Sequence, residues 1–249
     1  MSVIDFQSRF FIQFIYIKYM LSRVVIIAAG GTGSRLNANL PKQYMLLNKT
    51  PVLMHTIRLF ENHVDKIIIS IHADMVDYWT ELCEQYHFNI PHELIIGGKT
   101  RFQSVRNAIS YLEIRFPDFF YNEDGLIAVH DAARPLVDPK LIEQSFETAF
   151  QGKSNVLAYK STNSIRIGNT YENNAIDRDT VWQIQTPQTF PAQVLQEAYQ
   201  QIETPLFTDD ASVVERIGYS IHLIESSYKN IKLTYAEDFE IAKLYLNKQ

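Results

Sequence analysis

A run of small residues follows an apolar stretch near the start of the chain: Val24–Ala28 leads into Ala29-Gly30-Gly31-Thr32-Gly33-Ser34-Arg35-Leu36. Small residues after a strand let main-chain N–H groups approach a phosphate closely. Arg35 lies just past Gly33, and Lys42 follows in Leu40-Pro41-Lys42-Gln43-Tyr44. Pro41 fixes its own φ and restricts Leu40, which stiffens the segment that carries Lys42. A planar guanidinium and a compact ammonium beside a bed of amides suit charge developing on a phosphoryl group. The competing reading is a tight turn flanked by two solvated cations. Two familiar phosphate loops do not fit. Walker A needs Gly-Lys-Ser/Thr, and here Gly33 is followed by Ser34 and Arg35. The dinucleotide fingerprint needs a third small residue where Leu36 stands.

An acid completes the set. Gly125–His130 is an apolar run that ends at Asp131. A carboxylate at the end of a parallel strand faces the crevice where α/β sheets bind ligands. Mg²⁺ favours one or two carboxylates together with phosphate oxygens, so Asp131 is the candidate metal ligand. The alternative is an Asp that caps the following turn. Arg134 either binds phosphate or braces Asp131. His130 reads as structural, because an ionised phosphate nucleophile needs no general base. Arg101 and Arg106 read as solvated or structural helix residues. Asp209 and Asp210 read as a helix N-terminus with a weaker claim to the pocket. Cys83 reads as inert core.

The elements that must position these groups alternate. Strand-like runs at Val24–Ala28, Lys66–Ile71, Glu93–Ile96, Gly125–His130 and Val156–Tyr159 are separated by helical patterns. These cover Pro51–Glu61 and Met75–Tyr86, one opening at Thr100 and one at Asp138-Pro139. The rhythm predicts an α/β fold: a Rossmann-like, mainly parallel sheet flanked by helices. Between Lys160 and Asp179 it breaks into a polar stretch that reads as a protruding β-arm, a hairpin turning at Gly168-Asn169. Strands at Trp182–Gln185, Ser220–Ile224 and Ile231–Leu233 follow, with helices opening at Pro191 and Asp209. Two capping boxes are expected, Thr100 with Gln103 and Thr234 with Glu237. Residues 22–249 read as one domain with the arm at about 160–179.

The 249 residues carry 23 Lys+Arg against 28 Asp+Glu, a formal net charge of -5. That balance does not advertise a nucleic-acid binder. The single cysteine excludes an internal disulfide and a cysteine metal cluster, and fits a reducing, cytoplasmic setting. Residues 1–21 are rich in aromatics, among them Phe6, Phe10, Phe11, Phe14, Tyr16 and Tyr19. The apolar run there is broken by Gln13 and Lys18 and is too short to span a bilayer. Three readings stand: an upstream start with Met20 the functional first residue, an extra packed element, or a membrane or partner contact. No membrane role is expected of the rest.

Taken in order, the blocks resemble one family. Ala28 through Arg35, then Pro41-Lys42-Gln43, resemble the sugar-phosphate nucleotidyltransferases. Five further blocks narrow the likeness: Gly97-Gly98 with Arg101, Ser104 and Val105; Val129 through Pro135; Asp177-Arg178; Gln185 through Gln188; and Asn230 through Thr234. From Arg23 to Leu246 the chain resembles the 2-C-methyl-D-erythritol 4-phosphate cytidylyltransferases of isoprenoid biosynthesis. The resemblance implies CTP and a phosphorylated polyol as substrates, Mg²⁺ or another divalent cation on Asp131, and a homodimer joined through the arm. It implies nucleotide binding by Ala28, Ala29, Gly30, Gly31, Thr32, Gly33, Gly98, Ser104 and Arg134, and catalysis by Arg35, Lys42, Arg178 and Lys232. The acceptor falls to Ser164, Arg178, Thr186 and Lys232. Two departures matter. Position 99 is Lys, so base recognition there would use backbone groups. Ser164 stands where Thr is usual, which keeps the hydroxyl but leaves the acceptor open: ribitol 5-phosphate or another pentose phosphate is the alternative. A nucleotide-binding module without catalysis is the alternative of another class.

Overall fold

The computed structural model describes residues 21–31 and 40–247. The N-terminal segment apart from Leu21, and the site candidates Thr32, Gly33 and Arg35, lie outside the described residues. Seven strands make one sheet: β1 (Arg23–Ala29), β4 (Lys66–Ile71), β5 (Glu93–Ile96), β6 (Leu126–Asp131), β7 (Asn155–Lys160), β10 (Trp182–Pro191) and β11 (His222–Glu225). Their order is β11-β7-β10-β6-β1-β4-β5. Only β10 runs against its neighbours; the pairs β1–β4, β1–β6, β4–β5 and β11–β7 are parallel. A short ribbon, β2 (Leu46–Leu47) with β3 (Thr50–Pro51), stands apart, and so does the arm, β8 (Ile165–Gly168) with β9 (Asn173–Ile176).

The β-branched runs explain the parallel core. Val24, Val25, Ile26 and Ile27 of β1, and Ile68 and Ile69 of β4, have no exposed surface. Strands covered on both faces read as continuous apolar runs rather than alternating ones. One face packs on α1 (Val52–Phe60), α2 (Val76–Gln85) and α5 (Pro139–Phe150), where Phe60, Trp79 and Phe146 are buried. The other packs on α3 (Arg101–Arg115), the short α4 (Pro117–Tyr121), α6 (Ala192–Ala198) and α7 (Asp210–Glu215). The last helix, α8 (Ala236–Leu246), closes a smaller cluster with Leu47, Val52 and Leu136.

Topology then fixes where a ligand can sit. The chain passes from β1 outward to β4 and β5, and returns to the opposite side of β1 as β6. The carboxyl ends of β1 and β6 therefore diverge at a switch point, where open α/β sheets bind ligands.

Several sequence expectations need correction. Ile231–Leu233 forms no strand and joins no sheet; Leu233 donates its N–H to the carbonyl of Ala133 at 2.8 Å instead. The second capping box shifts: Asp238, not Glu237, accepts from the N–H groups of Thr234 and Tyr235, at 2.7 and 2.8 Å. The Thr100 box is half formed. Thr100 Oγ1 accepts from Gln103 N, but Gln103 reaches back to the N–H of Lys99. The arm's turn starts one residue later than expected and is longer, spanning residues 169–172. Gly168 pairs with Asn173, and Asn169 closes the turn by accepting from the N–H groups of Tyr171 and Glu172. Gly168 has φ 137°, and a Cβ there would lie 2.1 Å from the Glu172 carbonyl oxygen. Only glycine meets both conditions.

Candidate active site

A cleft of about 320 Å³ opens at the β1–β6 switch point. Its wall is drawn from four places: Ala28, Gly30 and Gly31 at the end of β1 and just past it; Lys42 and Gln43; Gly98 to Arg101 with Ser104; and Asp131 to Ala133 with Lys232 and Thr234.

The Gly98 segment must be tight. A Cβ on Gly98 would lie 2.2 Å from the Cβ of Gln103. The Gly98 N–H donates to Ser104 Oγ at 3.1 Å, and that hydroxyl donates on to the Thr100 carbonyl at 2.9 Å. Ser104 thus shapes the turn that presents the N-terminus of α3 to the cleft.

Asp131 is the electrostatic centre. Lys232 Nζ lies 2.9 Å from its Oδ2, and Arg101 Nε and Arg134 Nε each lie 3.4 Å from a carboxylate oxygen. Burial pushes this carboxyl up, but Lys232, Arg101 and Arg134 more than reverse that and hold it well below the usual carboxylate range. Behind Arg101 stands Asp210, sealed from solvent. Arg101 grips it through its two terminal guanidinium nitrogens at 2.8 and 2.6 Å, and the Tyr199 hydroxyl donates to it at 2.6 Å. Burial opposes the Arg101 charge, yet Asp210 and Asp131 raise its proton affinity well above the ordinary value.

His130 is fully buried, and desolvation pushes its pKa down to about 4. Its Nε2 lies 3.0 Å from the Arg134 carbonyl, which can only accept, so Nε2 carries the proton. Nδ1 then accepts from Thr186 Oγ1 at 3.1 Å, and Thr186 Oγ1 accepts from the Asp131 N–H at 3.0 Å. The chain of bonds fixes the backbone under Asp131. It gives His130 a structural place and leaves it no proton to trade.

Of the residues that the sequence singled out, the structure brings Ala28, Gly30, Gly31, Lys42, Gly98, Ser104, Asp131 and Lys232 to one cleft. Ala29 lies just behind the wall, its carbonyl bonded to Gln43. Arg134 and Thr186 are outside the lining. Arg134 braces Asp131 and bonds the Asn230 carbonyl at 2.8 Å. Ser164 and Arg178 are exposed on or beside the arm and are not part of the cleft; Arg178 donates to the Thr162 carbonyl at 3.3 Å. Arg101, read as solvated or structural, is structural: it holds Asp210 and also lines the cleft. Sequence reasoning gave Gln43, Asn230 and Gln185 no separate task. Asn230 and Gln185 hold the Lys232 segment to β10, with Asn230 Nδ2 donating to the Thr186 carbonyl and Gln185 Nε2 to the Asn230 carbonyl. The only signal for them was membership of the Gln185-Thr186-Pro187-Gln188 and Asn230-Ile231-Lys232 blocks.

The profile of the 2-C-methyl-D-erythritol 4-phosphate cytidylyltransferases matches residues 23–248. The chain belongs to this family. A cytidylyltransferase of that name from Porphyromonas gingivalis is 42% identical over 226 residues, 90% of this chain and 97% of its own length. One from Bacteroides thetaiotaomicron is 36% identical, covering 91% of this chain and all of the relative. Among solved structures, the Francisella tularensis cytidylyltransferase superposes with a TM-score of 0.72 at 29% identity, over 90% of this chain and 99% of that one. A crystal structure of 4-diphosphocytidyl-2C-methyl-D-erythritol synthase gives 0.74 at 27% identity, over 91% and 98%. The mainly parallel sheet flanked by helices is thus the cytidylyltransferase architecture.

Proposed function

We propose that this enzyme joins CTP to 2-C-methyl-D-erythritol 4-phosphate, releasing pyrophosphate and the CDP-linked alcohol, a step of isoprenoid precursor biosynthesis. Family membership supplies the reaction. The observation that carries it at the level of atoms is the cleft at the β1–β6 switch point, lined both by Lys42 and by the Lys232–Asp131–Arg101 set.

The chemistry follows from that charge layout. The triphosphate lies over the Ala28–Arg35 segment. An oxygen of the ionised acceptor phosphate attacks the α-phosphorus in line. A new P–O bond forms as the bond to the bridging β-phosphate oxygen breaks, and no proton has to be removed. Lys42 and Arg35 stabilise the negative charge spread across the transition state, and pyrophosphate leaves. This is catalysis by positioning and electrostatics. Lys232 supplies a cation for the acceptor phosphate.

Asp131 would be the protein ligand for a divalent cation, Mg²⁺ or an ion like it. Among the described residues no group of three or more His, Cys, Asp or Glu side chains could hold a metal. One hard carboxylate at a cleft wall still fits an ion that takes its other ligands from phosphate oxygens and water. When bound, such an ion neutralises triphosphate charge.

Ser164 and Arg178 complete the acceptor site from a second copy of the chain, the arm of one subunit reaching the cleft of its partner in a homodimer. The arm's exposed apolar residues, Ile167 at 61% and Tyr171 at 95%, support that reading. Among the described residues no helix is long and apolar enough to cross a membrane. We place the enzyme in the cytoplasm on the reducing setting that its single cysteine fits. The test is pyrophosphate release from CTP with methylerythritol phosphate, run beside ribitol 5-phosphate and beside UTP. Turnover with the first pair is the expected result. Preference for ribitol 5-phosphate would reassign the acceptor, and no release with any pair would leave only a nucleotide-binding module.

A further inference from the structure

Gln43 sits beside Lys42 on a single 3-10 turn, Lys42–Tyr44, and is 3% exposed. Its Nε2 donates to two carbonyl oxygens at once, Ala29 at 2.7 Å and Gly31 at 2.9 Å. These carbonyls flank Gly30, where β1 gives way to the cleft wall. The turn itself is anchored from below. Tyr44, 1% exposed, meets the Tyr78 ring edge-on at 5.7 Å and packs near Trp79. The Tyr44 N–H closes the turn on the Pro41 carbonyl at 3.0 Å.

Sequence position gives this contact its meaning. Residue 31 and residue 40 are the two ends of the stretch that contains Arg35. Gln43 ties the first end to the turn that begins two residues beyond the second. We infer that Gln43 is a positioning residue for the triphosphate site, a clasp that fixes the glycine segment and Lys42 relative to each other before nucleotide arrives. Two physical consequences follow. The ordering of these ends is already present in the free enzyme and is not charged against binding. The oxygens of Ala29 and Gly31 are also held turned toward an amide, and so are kept from facing an incoming phosphate. In a planar trans peptide the Gly30 N–H then points away from the Ala29 oxygen. Glutamine suits the task because one NH₂ offers two donors and adds no charge. Glutamate cannot serve both carbonyls, and lysine would add a third cation beside Lys42.

The inference rests on the nucleotide reading above, and its test separates the two. Gln43→Met keeps the side-chain length and removes both donors. Wild-type enzyme and variant are titrated with pyrophosphate and Mg²⁺, and separately with cytidine, with Tm measured for each. The clasp predicts that pyrophosphate affinity falls tenfold or more while cytidine affinity holds. It also predicts that KM for CTP rises while KM for the acceptor stays. Equal pyrophosphate binding by variant and wild type overturns the clasp. So does a parallel loss of cytidine and pyrophosphate with a lowered Tm, since that is what a merely structural residue would give. Failure of the wild type to bind either ligand overturns the nucleotide reading as well. Should Gln43→Met not fold, Gln43→Asn, one methylene too short to reach both carbonyls, is read the same way.

Discussion

The Asp131 corner and the β8–β9 arm each hold an arginine that the family resemblance assigns to a substrate, Arg134 to the nucleotide and Arg178 to the acceptor, but they are built in opposite ways. At the corner every charge is wired: Arg101 to Asp210 and Asp131, Arg134 to Asp131 and the Asn230 carbonyl, Lys232 to Asp131. On the arm, Arg178 is exposed with one long bond to a carbonyl, and Ser164 stands in solvent. A wired charge is oriented in advance but ties stability to function. A loose charge costs the fold nothing and waits for something to order it. The corner is oriented in advance, and the arm, on the function proposed above, is a half-site that needs a surface.

The sharpest way to break this contrast is to cut one wire. Asp210→Asn leaves Arg101 facing a neutral partner in a sealed position. Removing one member of a buried pair costs about 3–5 kcal/mol, so chemical denaturation of this variant is expected to show a loss of that order. Arg178→Ala, measured in parallel, is expected to unfold like wild type. If Asp210→Asn also unfolds like wild type, the corner is no more wired than the arm.

Lys42 and Arg35 test function without the fold. Each Ala variant is expected to fold normally and to lose on the order of 10²–10³ in turnover, the scale of removing one preorganised donor to developing charge. Steady-state rates close to wild type in either variant would remove it from the transition state.

The corner was largely legible in the sequence and its wiring was not. Strand limits at Lys66–Ile71 and Glu93–Ile96 agree with the structure because β-branched runs end sharply at polar turns. Asp131 could be placed because a carboxylate after a fully apolar strand has one natural location. The Arg101–Asp210 pair could not, since its members stand 109 positions apart and each alone looks like a helix-end charge. Ile231–Leu233 looked like a strand because apolar residues flank Lys232. In the structure that segment is held by side-chain amides, Gln185 and Asn230, whose partners are backbone groups with no sequence signature. Gln43 escaped notice for the same reason.

A smaller effect asks whether the arm works across subunits. Arg178→Ala and Lys42→Ala are each expected to be poor enzymes. If the arm works across subunits, a co-expressed hybrid contains one cleft with an intact Lys42 that is served by the partner's intact arm. Tagged and purified hybrids are expected to recover activity approaching half that of wild type. Hybrids no better than the two parents would mean that Arg178 serves its own chain or no substrate at all.

The smallest effect lies away from both regions and gives a baseline for them. His92 is packed against Trp79 and Phe88. Its Nδ1 lies 2.7 Å from the Ile90 carbonyl and so carries a proton, while Nε2 accepts from the Trp79 indole N–H at 3.0 Å. A second proton on the ring would set two donors face to face. Burial lowers its pKa, against a weaker raising effect of the Ile90 carbonyl. The unfolded chain therefore takes up the proton first as the pH falls through about 6.5. The stability that neutral His92 contributes is whole above that value and drains away below it. His55 and His130 are shifted in the same direction by burial, so the acid slope is shared. His92→Gln keeps an acceptor for Trp79 and cannot titrate. Urea unfolding followed by tryptophan fluorescence between pH 7 and pH 5 is expected to show a shallower loss of stability in this variant than in wild type. Identical slopes would show that His92 is not held neutral by its neighbours.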